Sequence, residues 1–97
     1  MNLQVYGLGY VGTVTAALMA DFGHQVIGID NNLSKVETIN SGKSPVSEPG
    51  LEEIVKRQVM KGSLKAYIEP PNHFEPDVVL ICVGTPSMKG GKVDDSQ

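Results

Sequence analysis

The chain has no tryptophan, a single cysteine (Cys82) and only 5% aromatic residues in a length of 97. One thiol excludes a disulfide framework and a multi-thiolate metal site, and no metal site is expected. The longest strongly apolar run, Val78 to Val83, is far short of the roughly 20 residues that span a bilayer. Charge of neither sign dominates. Eight basic and eleven acidic residues are mixed along the chain for a net charge of −3, and without a basic stripe nucleic acid is not an expected partner. The N-terminus shows no basic segment followed by a cleavable apolar stretch, so a soluble, cytoplasmic chain is expected. At this length one domain is the limit, burying about two-thirds of the unfolded chain's surface. That is too little for a complete doubly wound dinucleotide domain and a substrate domain together.

Glycine, by contrast, is concentrated where it matters. A short apolar run, Leu3 to Tyr6, leads into Gly7-Leu8-Gly9-Tyr10-Val11-Gly12. Gly7 suits a tight strand-to-helix turn, Gly9 lacks the Cβ that would obstruct a pyrophosphate, and Gly12 lets the following helix press on the strand. The helix start offers unpaired N–H groups and the positive end of its dipole to phosphate oxygens. Asp30 follows 18 residues after Gly12, at the end of Val26-Ile27-Gly28-Ile29, where its carboxylate can accept hydrogen bonds from a ribose 2′-hydroxyl. A glycine hexapeptide alone is compatible with an empty βα turn. Strand, glycines, helix and distal acid together point to a dinucleotide. The expected cofactor is NAD rather than NADP, because a 2′-phosphate would meet like charge at Asp30 and Asn31-Asn32 supplies no arginine to receive it.

The remaining pattern alternates strands and helices. A first helix is expected from Tyr10 to Phe22, with Val11, Val14, Thr15, Leu18 and Phe22 at helical spacing and Gly23 at its C-terminus. A strand at 25–29 follows, then a helix over 33–40 capped by Asn31 or Asn32, with Val36 and Ile39 inward. A two-proline loop, Pro45 to Gly50, precedes a helix over 51–60 with Leu51, Ile54, Val55 and Val59 on its apolar face. A short strand is expected at 64–68. Three prolines between Glu69 and Pro76 argue against a helix there. The unbroken aliphatic run 78–83 reads as a parallel strand buried on both faces. Right-handed crossovers then give an α/β fold, a partial Rossmann-type doubly wound parallel sheet of about four strands in the order 3-2-1-4. The expected organisation is a nucleotide-binding unit over 1–87 and a mobile polar tail over 88–97.

Four ordered motifs carry a resemblance: the glycine hexapeptide, the pair Asp30 and Lys35, Gly42-Lys43-Ser44-Pro45 leading to Glu48-Pro49-Gly50-Leu51, and Ile81-Cys82-Val83-Gly84-Thr85-Pro86-Ser87. The chain resembles the amino-terminal NAD domain of the UDP-glucose/GDP-mannose dehydrogenase family, and its GDP-mannose branch more closely than its UDP-glucose branch. The resemblance implies that Tyr10 and Val11 meet the cofactor through the phosphate turn, that Asp30 and Lys35 hold the adenosine ribose, and that Thr85 lies along the cofactor. On residue type alone Lys35 also reads as a solvated helix lysine, and Thr85 as a polar loop residue. His24 reads as a surface turn residue, Glu48 as a helix-capping carboxylate ahead of Leu51, and Cys82 as an ordinary small core residue.

Two departures from the family pattern stand out: the proline-rich connection 69–76, and the stop at Gln97 where a helix should follow the fourth strand. The family's catalytic residues belong to later motifs, so no catalytic residue is assigned here. The expectation is a cofactor half-site that binds NAD, or an adenosine-containing fragment of it, without catalysing the family's oxidation of a nucleotide-sugar C6 alcohol. Two other readings stand beside it. The Val78–Val83 edge invites strand pairing between two copies, making the chain a homodimeric interaction module. A flavin or another adenosine cofactor fits the glycine turn but not the later motifs.

Overall fold

The computed structural model describes residues 1–82. Four strands and three helices follow one another as β1 (Asn2–Tyr6), α1 (Tyr10–Asp21), β2 (Gln25–Ile29), α2 (Leu33–Asn40), α3 (Leu51–Lys61), β3 (Leu64–Tyr67) and β4 (Val78–Ile81). The strands form one sheet in the order β3-β2-β1-β4, with every pairing parallel. Leu3 lies opposite Val26 and Val78, and Val26 opposite Leu64. The carboxyl ends of β1, β2 and β3 therefore align along one edge.

The burial of α1 differs from the sequence expectation. Val11 and Phe22 are 61% and 71% exposed, whereas Gly12, Thr13, Ala16, Ala17 and Ala20 are buried. Val11, Leu18 and Phe22 therefore lie on the outer side of the helix, Val14 packs partly buried against the core, and the smallest residues mark the fully packed side. The cause is proximity: a Cβ on Gly12 would lie 1.6 Å from the Gly7 carbonyl oxygen. A helix held that close to the preceding turn admits only short side chains beneath it. The other helices follow expectation, α2 burying Val36 and Ile39 and α3 burying Leu51 and Val55.

Termini behave as the local chemistry predicts. Asn32 caps α2, its side chain accepting from the Lys35 N–H at 3.2 Å. Gly23, one residue beyond the α1 cap Phe22, has φ +107°, the left-handed conformation glycine adopts without strain. Asn40, the last residue of α2, has a further role. Its amide donates to the Ala66 carbonyl and accepts from the Ala66 N–H, both at 2.9 Å, occupying the outer edge of β3 as a neighbouring strand would.

At the opposite edge β4 pairs with β1 alone among the described residues. Val79 and Ile81 are 47% and 65% exposed, which corrects the expectation of a strand buried on both faces. A continuous aliphatic run does not bury itself; it needs layers above and below and a neighbour on each side. Cys82 follows β4 and packs partly buried against the core. Val83 and the expected tail 88–97 lie outside the described residues. No helix of the described residues is long and apolar enough to cross a membrane.

Candidate functional site

The site forms at the carboxyl edge, where β1 hands over to α1 and β2 to α2. Gly7 leaves β1 with φ +96° and donates its N–H to the Ile29 carbonyl at 2.7 Å, so the turn begins hydrogen-bonded to the neighbouring strand. Leu8 is fully buried. Its side chain lies against Gly28, where an added Cβ would come within 2.8 Å of a Leu8 methyl. Its carbonyl accepts from the Thr13 hydroxyl at 3.0 Å. Gly9 caps α1 in an extended conformation with no side-chain hydrogen bond, and nothing lies within 4 Å of a Cβ built on it. Among the described residues, no side chain caps the first N–H groups of α1 and none crowds Gly9, the arrangement that receives an anion.

Asp30 stands at the end of β2 beside this turn. Its Oδ2 accepts from the Leu8 N–H at 2.8 Å and its Oδ1 from the Asn32 N–H at 2.8 Å. A carboxylate has about four acceptor positions, so two remain for a ligand's hydroxyls. Tyr6, Gly7, Ile29, Asp30, Asn31, Ile68 and Pro70 line an open cleft of about 330 Å³, mostly apolar, with the one carboxylate on its rim. The proline-rich connection after β3 thus contributes a wall to the cleft, a part that the sequence pattern did not identify.

The structure places Gly7, Gly9, Tyr10, Val11, Gly12 and Asp30 together at this edge. Tyr10 and Val11 occupy the first two positions of α1, both with exposed side chains. Lys35 is half-buried in the first turn of α2 and does not line the cleft. Thr85 lies outside the described residues. Glu48 departs from its helix-capping expectation: α3 is capped by Gly50 with no side-chain hydrogen bond, and Glu48 Oε1 accepts from the Tyr10 hydroxyl at 2.5 Å. That bond, and then the carboxylate's charge, push the Tyr10 phenol above its ordinary value of 10.0. It ties the loop between α2 and α3 to the start of α1. No group of His, Cys, Asp and Glu among the described residues could hold a metal ion.

A parallel sheet in the order 3-2-1-4, a glycine turn, an uncapped helix start and an acid at the end of β2 define a Rossmann-type dinucleotide-binding unit. Comparison with known proteins makes this specific. The model of the UDP-glucose/GDP-mannose dehydrogenase family's NAD-binding domain matches residues 1–97, and the chain belongs to that family. GDP-mannose 6-dehydrogenase of Pseudomonas syringae pv. syringae is 41% identical over 95 residues, covering 97% of this chain and 22% of that protein. The structure of a ternary complex of GDP-mannose dehydrogenase from Pseudomonas aeruginosa superposes with a TM-score of 0.85 at 42% identity, covering 97% of this chain and 22% of that one. A UDP-glucose dehydrogenase from Pyrobaculum islandicum gives a TM-score of 0.80 at 41% identity, covering 91% and 21%. The chain therefore spans about a fifth of the length of the relatives it matches.

Proposed function

We propose that this chain holds the adenosine and pyrophosphate half of NAD for a nucleotide-sugar 6-dehydrogenase. The adenosine sits in the apolar cleft between Tyr6-Gly7 and Ile68-Pro70, its ribose hydroxyls donate to Asp30, and the pyrophosphate lies over Gly9 against the N–H groups of Tyr10 and Val11. Lys35 assists at the ribose, and Thr85 lies further along the cofactor. One observation carries the reading: the open, uncapped start of α1 above Gly9 shares a single sheet edge with the Asp30 carboxylate. NAD, when bound, supplies the hydride acceptor; the chain's own residues bind and orient it. GDP-mannose is the favoured substrate of the parent reaction, by similarity to the Pseudomonas enzymes. A cytoplasmic setting belongs to the same proposal and suits a free thiol such as Cys82.

Calorimetric titration with NAD, ADP-ribose and NADP tests this. ADP-ribose should bind about as well as NAD, since the proposed contacts of residues 1–82 are all to the adenosine and pyrophosphate half. NADP should bind at least about tenfold more weakly, because its 2′-phosphate faces the Asp30 carboxylate. Absence of NAD binding, or equal affinity for NADP, would sink the assignment.

A second reading rests on β4. With Val79 and Ile81 exposed and β1 its one partner among the described residues, this edge is suited to pairing with a second copy. Sedimentation should then show a dimer at high concentration that an Ile81→Lys change dissociates; a monomer throughout rejects this reading.

A further inference from the structure

We propose that Asp30 is a positioning residue for the phosphate turn as well as the ribose acceptor, so that one carboxylate couples the two halves of the cleft before any ligand arrives. This rests on the dinucleotide reading but concerns a different act. The turn must present Gly9 and the first N–H groups of α1 in one fixed geometry. A glycine-flanked turn is intrinsically free to move, because glycine accepts a wider range of backbone angles than any other residue.

Leu8, the residue between the two turn glycines, is where that freedom is removed. Its side chain is wedged against Gly28 and its carbonyl is held by Thr13. Its N–H is held by Asp30 Oδ2 at 2.8 Å, a bond between a backbone donor and an ionised acceptor. Such charge-assisted bonds are roughly twice as strong as neutral ones. The other oxygen, Oδ1, holds the Asn32 N–H at 2.8 Å, and Asn32 in turn caps α2. Asp30 therefore ties the start of α1's turn to the start of α2. A ribose hydroxyl that donates to this carboxylate reaches a group already holding the phosphate turn.

Charge and positioning predict opposite signs for a ligand without a ribose. Inorganic pyrophosphate is a polyanion, so on charge alone removing the Asp30 carboxylate strengthens its binding. If Asp30 positions the turn, removing it weakens that binding instead. In Asp30→Ala we expect inorganic pyrophosphate affinity to fall about tenfold, the equivalent of one charge-assisted hydrogen bond. Hydrogen exchange of the ligand-free protein should show the Leu8 and Asn32 amides opening at least about tenfold faster, with the β1 and β2 amides unchanged. Asp30→Asn retains only one acceptor oxygen and should release one of the two amides, not both.

Pyrophosphate binding that is unchanged or tightened in Asp30→Ala, with adenosine binding weakened, would overturn the proposal and leave Asp30 a ribose acceptor only. If the wild-type chain bound neither pyrophosphate nor NAD, the dinucleotide reading would fail separately. The positioning role would still be judged by exchange: a wild-type Leu8 amide exchanging at the rate of an exposed amide refutes it, and that measurement requires no variant to fold.

Discussion

Gly12→Ala and Gly9→Ala add the same methyl group to the same turn and should have opposite consequences. At Gly12 the new Cβ would stand 1.6 Å from the Gly7 carbonyl oxygen and 2.8 Å from its carbonyl carbon, with Cys82 Cβ at 3.4 Å. Both nearest atoms are backbone, so no rotamer change relieves the contact. The start of α1 must lift by about 1.8 Å to restore an ordinary separation of 3.4 Å, in an interior packed too densely to absorb it. That lift strips contacts from Ala16, Ala17 and Ala20, which lie fully buried along the same face. Overpacking commonly costs about 1–3 kcal/mol, and a backbone-on-backbone clash belongs at or above the top of that range. A cost of about 3 kcal/mol lowers the melting temperature of a domain this size by roughly 12–24 °C. At Gly9 nothing lies within 4 Å and the backbone is extended, so alanine fits. Its effect on stability should stay within about 0.5 kcal/mol, offset slightly in its favour by a less flexible unfolded chain. NAD binding should nevertheless be lost, because the methyl occupies the space the pyrophosphate approaches. Thermal and urea denaturation followed by circular dichroism, with calorimetric titration of Gly9→Ala, separates the two. A Gly12→Ala protein melting within a few degrees of wild type would refute the close approach of α1, and a Gly9→Ala protein binding NAD normally would refute the cradle.

Asn40→Ala removes both hydrogen bonds from the outer edge of β3 and should cost about 1–3 kcal/mol in urea denaturation, since the Ala66 backbone groups lose their partner. Ala17→Leu, at a fully buried position on α1, should destabilise by about 1–3 kcal/mol. Phe22→Ser, at the exposed cap of the same helix, should fall within about 0.5 kcal/mol of wild type; the reverse ranking would mean that α1 is rotated. The Tyr10–Glu48 pair predicts a pH dependence. The folded-state phenol is raised above 10.0, so its stabilisation is complete below that pH and is lost as pH rises through the folded value. Absorbance titration should show a late phenolate component that disappears in Tyr10→Phe and moves back toward 10.0 in Glu48→Gln. A wild-type titration without that component would refute the pairing.

What the sequence made legible follows from the range over which each signal acts. Glycines at 7, 9 and 12, the Asn32 cap and the Gly23 stop are local instructions, readable because the backbone geometry they permit depends on a few neighbours. Strand order was legible for a similar reason: short parallel crossovers leave few topologies open. The burial of α1 was not. Val11, Leu18 and Phe22 have helical spacing and the greater hydrophobicity, yet Ala16, Ala17 and Ala20 are the buried residues, on a helix whose start at Gly12 is pressed against Gly7. Size outweighs hydrophobicity when two backbones are pressed together, and that distance is a tertiary quantity. Glu48 was misjudged in the same way. Its nearest helix in sequence is α3, but the loop returns it to the start of α1, 38 residues away. Asp30 shows the limit most clearly. Its position at the end of β2 carries the proposed role of ribose acceptor, while its bond to the Leu8 amide needed the register of two strands to be visible. A sequence motif points to the groups proposed to face the ligand. The contacts that hold those groups still come from the fold, and in the reading proposed above both tasks fall to Asp30.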